Sequence, residues 1–338
     1  MNRPLKYCLL AAGLLAAGGL RATWEQPMTR EFRAAGLLSS PVGIDTRDRI
    51  GQTSSAVALG GLRTLVATFL NIRSFTYFSE KRWGDVADTY DLIVDLAPNT
   101  IQYWDMGSWH MAYNAAGDYR TNSDLPAARR REAWQEWIKR GEAFLRRGIR
   151  NNPDDWQLPA ALGRICSAPD KLREYPEAVE AFRASADTGK ALPYVRRLQL
   201  YSLARCSGRE AEALEMARGM YASPRNRTTT MVAILFALEQ KVSPSTNPTA
   251  RAIELFEGDK AAYDGLSLYW LRENERFPVD GVASALKGLE TKFAIPEAKS
   301  IFRKIGRRNE GPEDWFKSDT ELFKEELSDR LGIPSRKK

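Results

Sequence analysis

His110 is the only histidine of this chain, so any Ser/His or Cys/His relay would have to pass through it. It falls in mid-helix spacing among aromatics, and no nucleophile motif accompanies it, so the reading is a packed helical histidine rather than a general base. The chain carries no G-x-x-x-x-G-K-[ST], G-x-G-x-x-G or G-x-S-x-G sequence. The cysteines are Cys8, Cys166 and Cys206, and none stands in a C-x-x-C pair. With a single histidine, the usual Cys/His zinc site is not expected, and no metal or cofactor is assigned. Cys166 and Cys206 lie about one structural repeat apart, which leaves two readings: a disulfide in an oxidising compartment, or two small buried thiols. Asp85, Asp88 and Asp91 recur every third residue near one helix face, and a solvated face explains them better than a metal cluster. Asp154 and Asp155 follow Pro153 as a helix start, where carboxylates suit the dipole.

The densest basic stretch is Arg129–Arg130–Arg131 with Lys139, Arg140, Arg146, Arg147 and Arg150. Trp134, Trp137 and Phe144 interleave with it, a combination that can bind nucleic acid. Yet Trp134, Trp137, Gly141, Leu145 and Gly148 already form a core stripe at helical spacing, which leaves the arginines on an outer, solvated face. A net charge of +7 with acidic residues interspersed is not a basic stripe, so no nucleic-acid partner is expected. Hydrophobic content of 43% and charged content of 28% fit a folded protein and exclude wholesale disorder.

The elements that must carry these residues are helices. Leu70, Ser74 and Tyr77 share a helix face, Trp83, Val86, Tyr90 and Val94 share a facing one, and Pro98 closes the unit. Trp104, Ser108 and Met111 restart the pattern 34 residues after Leu70, Ser74 and Tyr77. A helix pair at that period is the mark of an α-solenoid, in which each unit buries its apolar face against its neighbours. Helices are expected over 53–78, 85–96, 101–116 and 127–150, with a polar insertion at 117–125. Further pairs carry Leu162, Gly163 and Cys166 with Tyr175, Ala178, Phe182 and Ser185, then Leu198, Tyr201 and Ala204 with Ala213, Ala217 and Met220. The repeat grows vague beyond Arg227, although helices are expected at 229–240, 249–256, 260–274, 279–293 and 318–331. No segment alternates with period two, so almost no sheet is expected. The organisation reads as 1–22 leader or short anchor, 23–52 linker with a short helix at 28–35, 53–221 solenoid, 222–333 helical continuation and 334–338 basic tail.

These units resemble tetratricopeptide repeats, carried by Tyr77, Trp83, Tyr90, Pro98, Trp104 and Ser108, and again by Gly163, Tyr175, Ala178 and Phe182. The match covers roughly Ala67 to Tyr221. Lys81 stands where that family usually has glycine, and Val86 where it has alanine. The run from Leu59–Gly60–Gly61–Leu62–Arg63 through Trp104 to Asn114 is also similar to a family of exported bacterial repeat proteins with no assigned activity. The tetratricopeptide resemblance implies an all-α, right-handed solenoid of antiparallel helix pairs whose concave groove is lined by first helices. Transferred position by position, the groove residues would be Asn71, Phe75, Asp105, Trp109, Tyr113, Gln157 and Arg164. Phe75 and Trp109 then have two readings, groove anchors or packing between repeats.

Arg3 and Lys6 precede the 13-residue apolar run Cys8–Leu20. The run is shorter than the roughly 20 residues a bilayer span needs, and it matches a secretory signal or a short amino-terminal anchor. The chain is therefore expected to be exported, periplasmic or held at the inner membrane facing the periplasm, with membrane contact through that segment. The expected function is a non-catalytic adaptor that binds a protein or peptide of the cell envelope. The alternative is a carbohydrate-binding or hydrolytic envelope protein using Asp105 and its neighbouring aromatics. Oligomeric state stays open.

Overall fold

The computed structural model describes residues 62–122, 124–273, 276–304 and 315–316. Among them every regular element is helical and no strand occurs. No helix among the described residues is long and apolar enough to cross a membrane. The leader, the linker and its short helix, residues 53–61, the helix expected at 318–331 and the basic tail lie outside the described residues. The chain divides into two compact units, 1–103 and 104–338.

In the first unit, α1 (Arg63–Ser79) packs on α2 (Trp83–Leu96). Ala67 and Ser74 are the buried positions of α1, against Val86, Ala87, Tyr90, Ile93 and Val94 of α2. The Tyr90 hydroxyl donates to Asn71 Oδ1 at 2.9 Å, and the Arg63 guanidinium donates to the Asp95 carbonyl at 3.1 Å. Trp83 meets Phe78 edge-on at 5.6 Å. Lys81 turns the chain with φ of 55°, a left-handed conformation that a residue with a side chain takes here.

α3 (Ile101–Trp109), which enters the second unit at Trp104, runs on into a π-helix, π1 (His110–Ala115), and then α4 (Ala116–Thr121). The helix thus continues past the expected end near residue 116, and the polar insertion shrinks to a turn. Packing explains the extra length: Ala115 and Ala116 are fully buried, and Tyr119 stacks on Trp137 at 6.3 Å. α5 (Ala127–Asn151) presents the expected stripe, burying Trp134, Trp137, Gly141, Phe144, Leu145 and Gly148. Phe316 lies against Trp134 at 5.3 Å.

The chain continues through α6 (Gln157–Ser167), α7 (Tyr175–Asp187), α8 (Tyr194–Leu203) and α9 (Glu210–Tyr221). Each packs on the helix next to it in sequence, as short connections dictate. Glycines set the approach. A Cβ at Gly163 would stand 2.7 Å from the Phe182 ring, one at Gly148 2.9 Å from the Trp104 ring, and one at Gly141 2.8 Å from the Ala112 Cβ. Trp104 and Phe182 are accordingly buried, at 1% and 0% exposure. Cys166 and Cys206 are buried free thiols, so the disulfide reading is not met.

After Arg227 come α10 (Thr229–Val242), α11 (Pro248–Leu255), α12 (Asp259–Glu273) and α13 (Val282–Lys292). α10 is buried on every side from Met231 to Gln240, surrounded by α8, α9, α11 and α12. One buried apolar cluster extends from Val179 to Ile301, across the expected boundary at 221/222.

The turn before a second helix repeats its geometry. Lys81, Arg173, Gly208 and Glu257 all have positive φ, each two residues before a helix begins at Trp83, Tyr175, Glu210 or Asp259. At Gly208, with φ of 81° and open space around its Cβ position, alanine should cost about 1 kcal/mol through backbone strain alone. Gly219, inside α9 with equally open space, should instead gain up to about 1 kcal/mol from the same change. Urea denaturation of the two single variants checks this opposite pair of signs.

Candidate functional site

The candidate site grows from the π-helix. Its wider winding is set by the Ala116 N–H donating to the Met111 carbonyl, five residues back. α5 holds it from behind, with Gly141 against Ala112 and the Ser108 carbonyl. On the outer side, Trp109 and Tyr113 stack at 4.3 Å with 19° between their planes. Trp109 is 52% exposed.

One helix turn earlier, Asp105 reaches Arg164 of α6 at 3.8 Å, both side chains about half exposed. The turn between α6 and α7 adds two residues that sequence reasoning missed. Lys171 Nζ lies over the Tyr113 ring at 4.4 Å, and it pairs with Asp170 at 3.0 Å. The Lys171 side chain is almost wholly buried, which pulls its ammonium below the usual lysine range, while Asp170 works the other way. Burial, with Asp170 adding to it, pushes the Tyr113 hydroxyl up to about 12. Asp105, Trp109, Tyr113 and Arg164 are thus brought together. Gln157 is exposed at the start of α6, where Asp155 accepts from its backbone N–H. Asn71 and Phe75 belong to the first unit, where Asn71 holds the Tyr90 hydroxyl and Phe75 is 70% exposed beside Phe78.

His110 lies beside this platform. The Asn114 amide donates to its Nδ1 at 3.1 Å, and burial lowers its pKa. The neutral ring accepts that hydrogen bond, which suits a positioning part of the π-helix.

A second cluster lies in the interior of the same unit. Ligand atoms of Glu142, Cys166 and Glu174 fall within 4.8 Å of one another. Lys139 bridges Glu142 at 3.0 Å and Glu174 at 2.5 Å, and Arg146 reaches Glu142 at 3.4 Å and Glu177 at 2.8 Å. Burial drives the Glu142 carboxyl up, and burial with the neighbouring glutamates pushes the Cys166 thiol up to about 12. Two cations already balance the carboxylates, and a protonated thiol is a poor metal ligand. The group therefore acts as an ionic tie from α5 to α7 and the turn before it. The basic segment of α5 is correspondingly not a simple solvated face: Lys139 and Arg146 point to these glutamates, Arg140 covers Trp137, and Arg147 covers Trp104 and Phe144.

Comparison with family models, curated proteins and solved structures gives no match to any of them. The chemistry must therefore come from the geometry. The half-exposed Trp109 stacked on the part-buried Tyr113, beside the Asp105 carboxylate and the Arg164 guanidinium, can stack a planar or apolar group and fix its register with polar contacts.

Because the folded state depresses the His110 pKa below 6.5, the unfolded chain takes up that proton first on acidification. This contribution to stability is complete above the unfolded value and is lost as pH falls through and below it. Denaturation midpoints measured at about pH 7.5 and about pH 5.5 should show the loss, and His110→Gln should flatten it.

Proposed function

We propose that this chain is a non-catalytic binding scaffold: a right-handed α-solenoid of antiparallel, tetratricopeptide-like helix pairs that holds a protein or peptide partner. The recurring left-handed turn at Lys81, Arg173 and Gly208 supports the repeat, as do the small-to-large pairs Gly148 with Trp104 and Gly163 with Phe182. The observation that carries the binding reading is the half-exposed Trp109 stacked on Tyr113 beside Asp105 and Arg164. An exposed tryptophan held against a part-buried tyrosine, with arginine at the rim, is the composition of an interface hot spot. Segment 1–22 directs the chain out of the cytoplasm or anchors it, and the partner is a component of the cell envelope. A second reading draws on the same stack: a flat aromatic pair next to the Asp105 carboxylate also suits a sugar ring.

A photo-crosslinking amino acid placed at Gln157 should give a defined protein adduct in the producing cell, and the same probe at the exposed Glu215 should not. Trp109→Ala should weaken that adduct by about tenfold or more without changing the fold. Equal labelling at both positions rejects the site. Binding on a glycan array that disappears with Asp105→Asn would transfer the assignment to carbohydrate.

A further inference from the structure

One face of α1 in the first unit is exposed among the described residues and has a consistent chemistry. Leu62, Leu65, Phe69, Ile72 and Phe75 recur at helical spacing, and they are 46%, 64%, 67%, 66% and 70% exposed. They lie opposite the buried Ala67 and Ser74, and run the length of a 17-residue helix, roughly 25 Å. Single exposed apolar residues are ordinary, but five in one stripe mark a contact surface. Charge on the hairpin is segregated. Residues 62–79 contain Arg63 and Arg73 and no Asp or Glu, whereas α2 carries Asp85, Asp88, Asp91 and Asp95. Residues 1–61 lead directly into this helix, and they include the apolar run Cys8–Leu20 behind Arg3 and Lys6.

We infer that α1 lies on an anionic lipid surface, with Leu65, Phe69 and Ile72 inserted at the level of the headgroups. An amphipathic helix with large apolar residues on one side and only cationic charge is the form such contacts take. Anionic headgroups complement the exposed Arg73, whereas Arg63 is turned to the Asp95 carbonyl of α2. A second copy of the chain on the same stripe would instead bring like charges together. The apolar run near the amino terminus fits a bilayer as well, so both segments address one surface. This contact uses α1 alone and does not rest on the Trp109 site.

The test uses the full chain carrying Cys8→Ser, whose remaining cysteines are buried. An environment-sensitive fluorophore is attached at Ile72→Cys, with Asp88→Cys on the exposed side of α2 as control and Phe75→Cys as a second probe should the first variant fold poorly. Vesicles of phosphatidylcholine and phosphatidylglycerol should shift the fluorophore at 72 to the blue and shield it from an aqueous quencher, and should leave 88 unchanged. Removing phosphatidylglycerol, or introducing Phe69→Asp, should lower the vesicle-bound signal by about tenfold or more. The inference falls if the chain floats with vesicles while position 72 stays in water, since the amino-terminal run then binds alone. It falls equally if 72 is shielded without vesicles. Shielding that grows with protein concentration assigns the face to a second copy, and concentration-independent shielding assigns it to residues 1–61. Retention of the Gln157 adduct in Phe69→Asp keeps the two sites distinguishable.

Discussion

At three contacts of the second unit, helices approach closely where one of them has no side chain. Gly163 faces the Phe182 ring, Gly148 faces the Trp104 ring, and Gly141 faces Ala112 and the Ser108 carbonyl. Each contact leaves less room than a methyl group needs, so the facing group fills the space that a Cβ would occupy. α3 and π1 are held to α5, and α6 to α7, by these contacts. The orientation of Trp109, Tyr113 and Arg164 follows from them, because those residues stand on the outer sides of the same helices.

The same packing explains two groups of buried charge. Lys139, Glu142, Arg146 and Glu174 tie α5 to the turn before α7, and Glu239 within α10 receives Arg251 at 2.8 Å and 2.9 Å through two nitrogens. Burial alone would expel these carboxylates, and paired guanidinium or ammonium groups keep them in place. Beside the Trp109–Tyr113 stack, the buried Lys171 shares its charge between Asp170 and the Tyr113 ring. Polar groups thus fix the register of the helices, while glycine and aromatic side chains fix their separation.

Much of the helical order was legible in the sequence, for a physical reason. Amphipathic helices leave a stripe, and the stripes at Trp83–Val94, Trp134–Gly148 and Ala178–Phe182 predict burial that the structure displays. Where a helix is buried all round, as α10 is, the stripe vanishes, and the repeat becomes unreadable at that point. The end of α4 was misplaced because Gly117 and the polar residues after it look like a turn, whereas Tyr119 stacking on Trp137 keeps them helical. At the candidate site, Asp105, Trp109, Tyr113 and Arg164 were named through the tetratricopeptide resemblance, position by position. Asp170 and Lys171 were not, since a turn carries them and no periodicity points to it. Glu142 was hidden among basic neighbours, and nothing local distinguishes a buried glutamate from a solvated one.

The packing of the second unit depends most on the missing side chain at Gly163, and a double-mutant cycle with Phe182 tests this directly. Gly163→Ala in the native background should destabilise the chain, despite the higher helix propensity of alanine. In a Phe182→Leu background the cost should largely disappear, a coupling of about 1 kcal/mol or more. Additive effects, or a stabilising Gly163→Ala, would contradict the close approach of α6 and α7 on which the site is built.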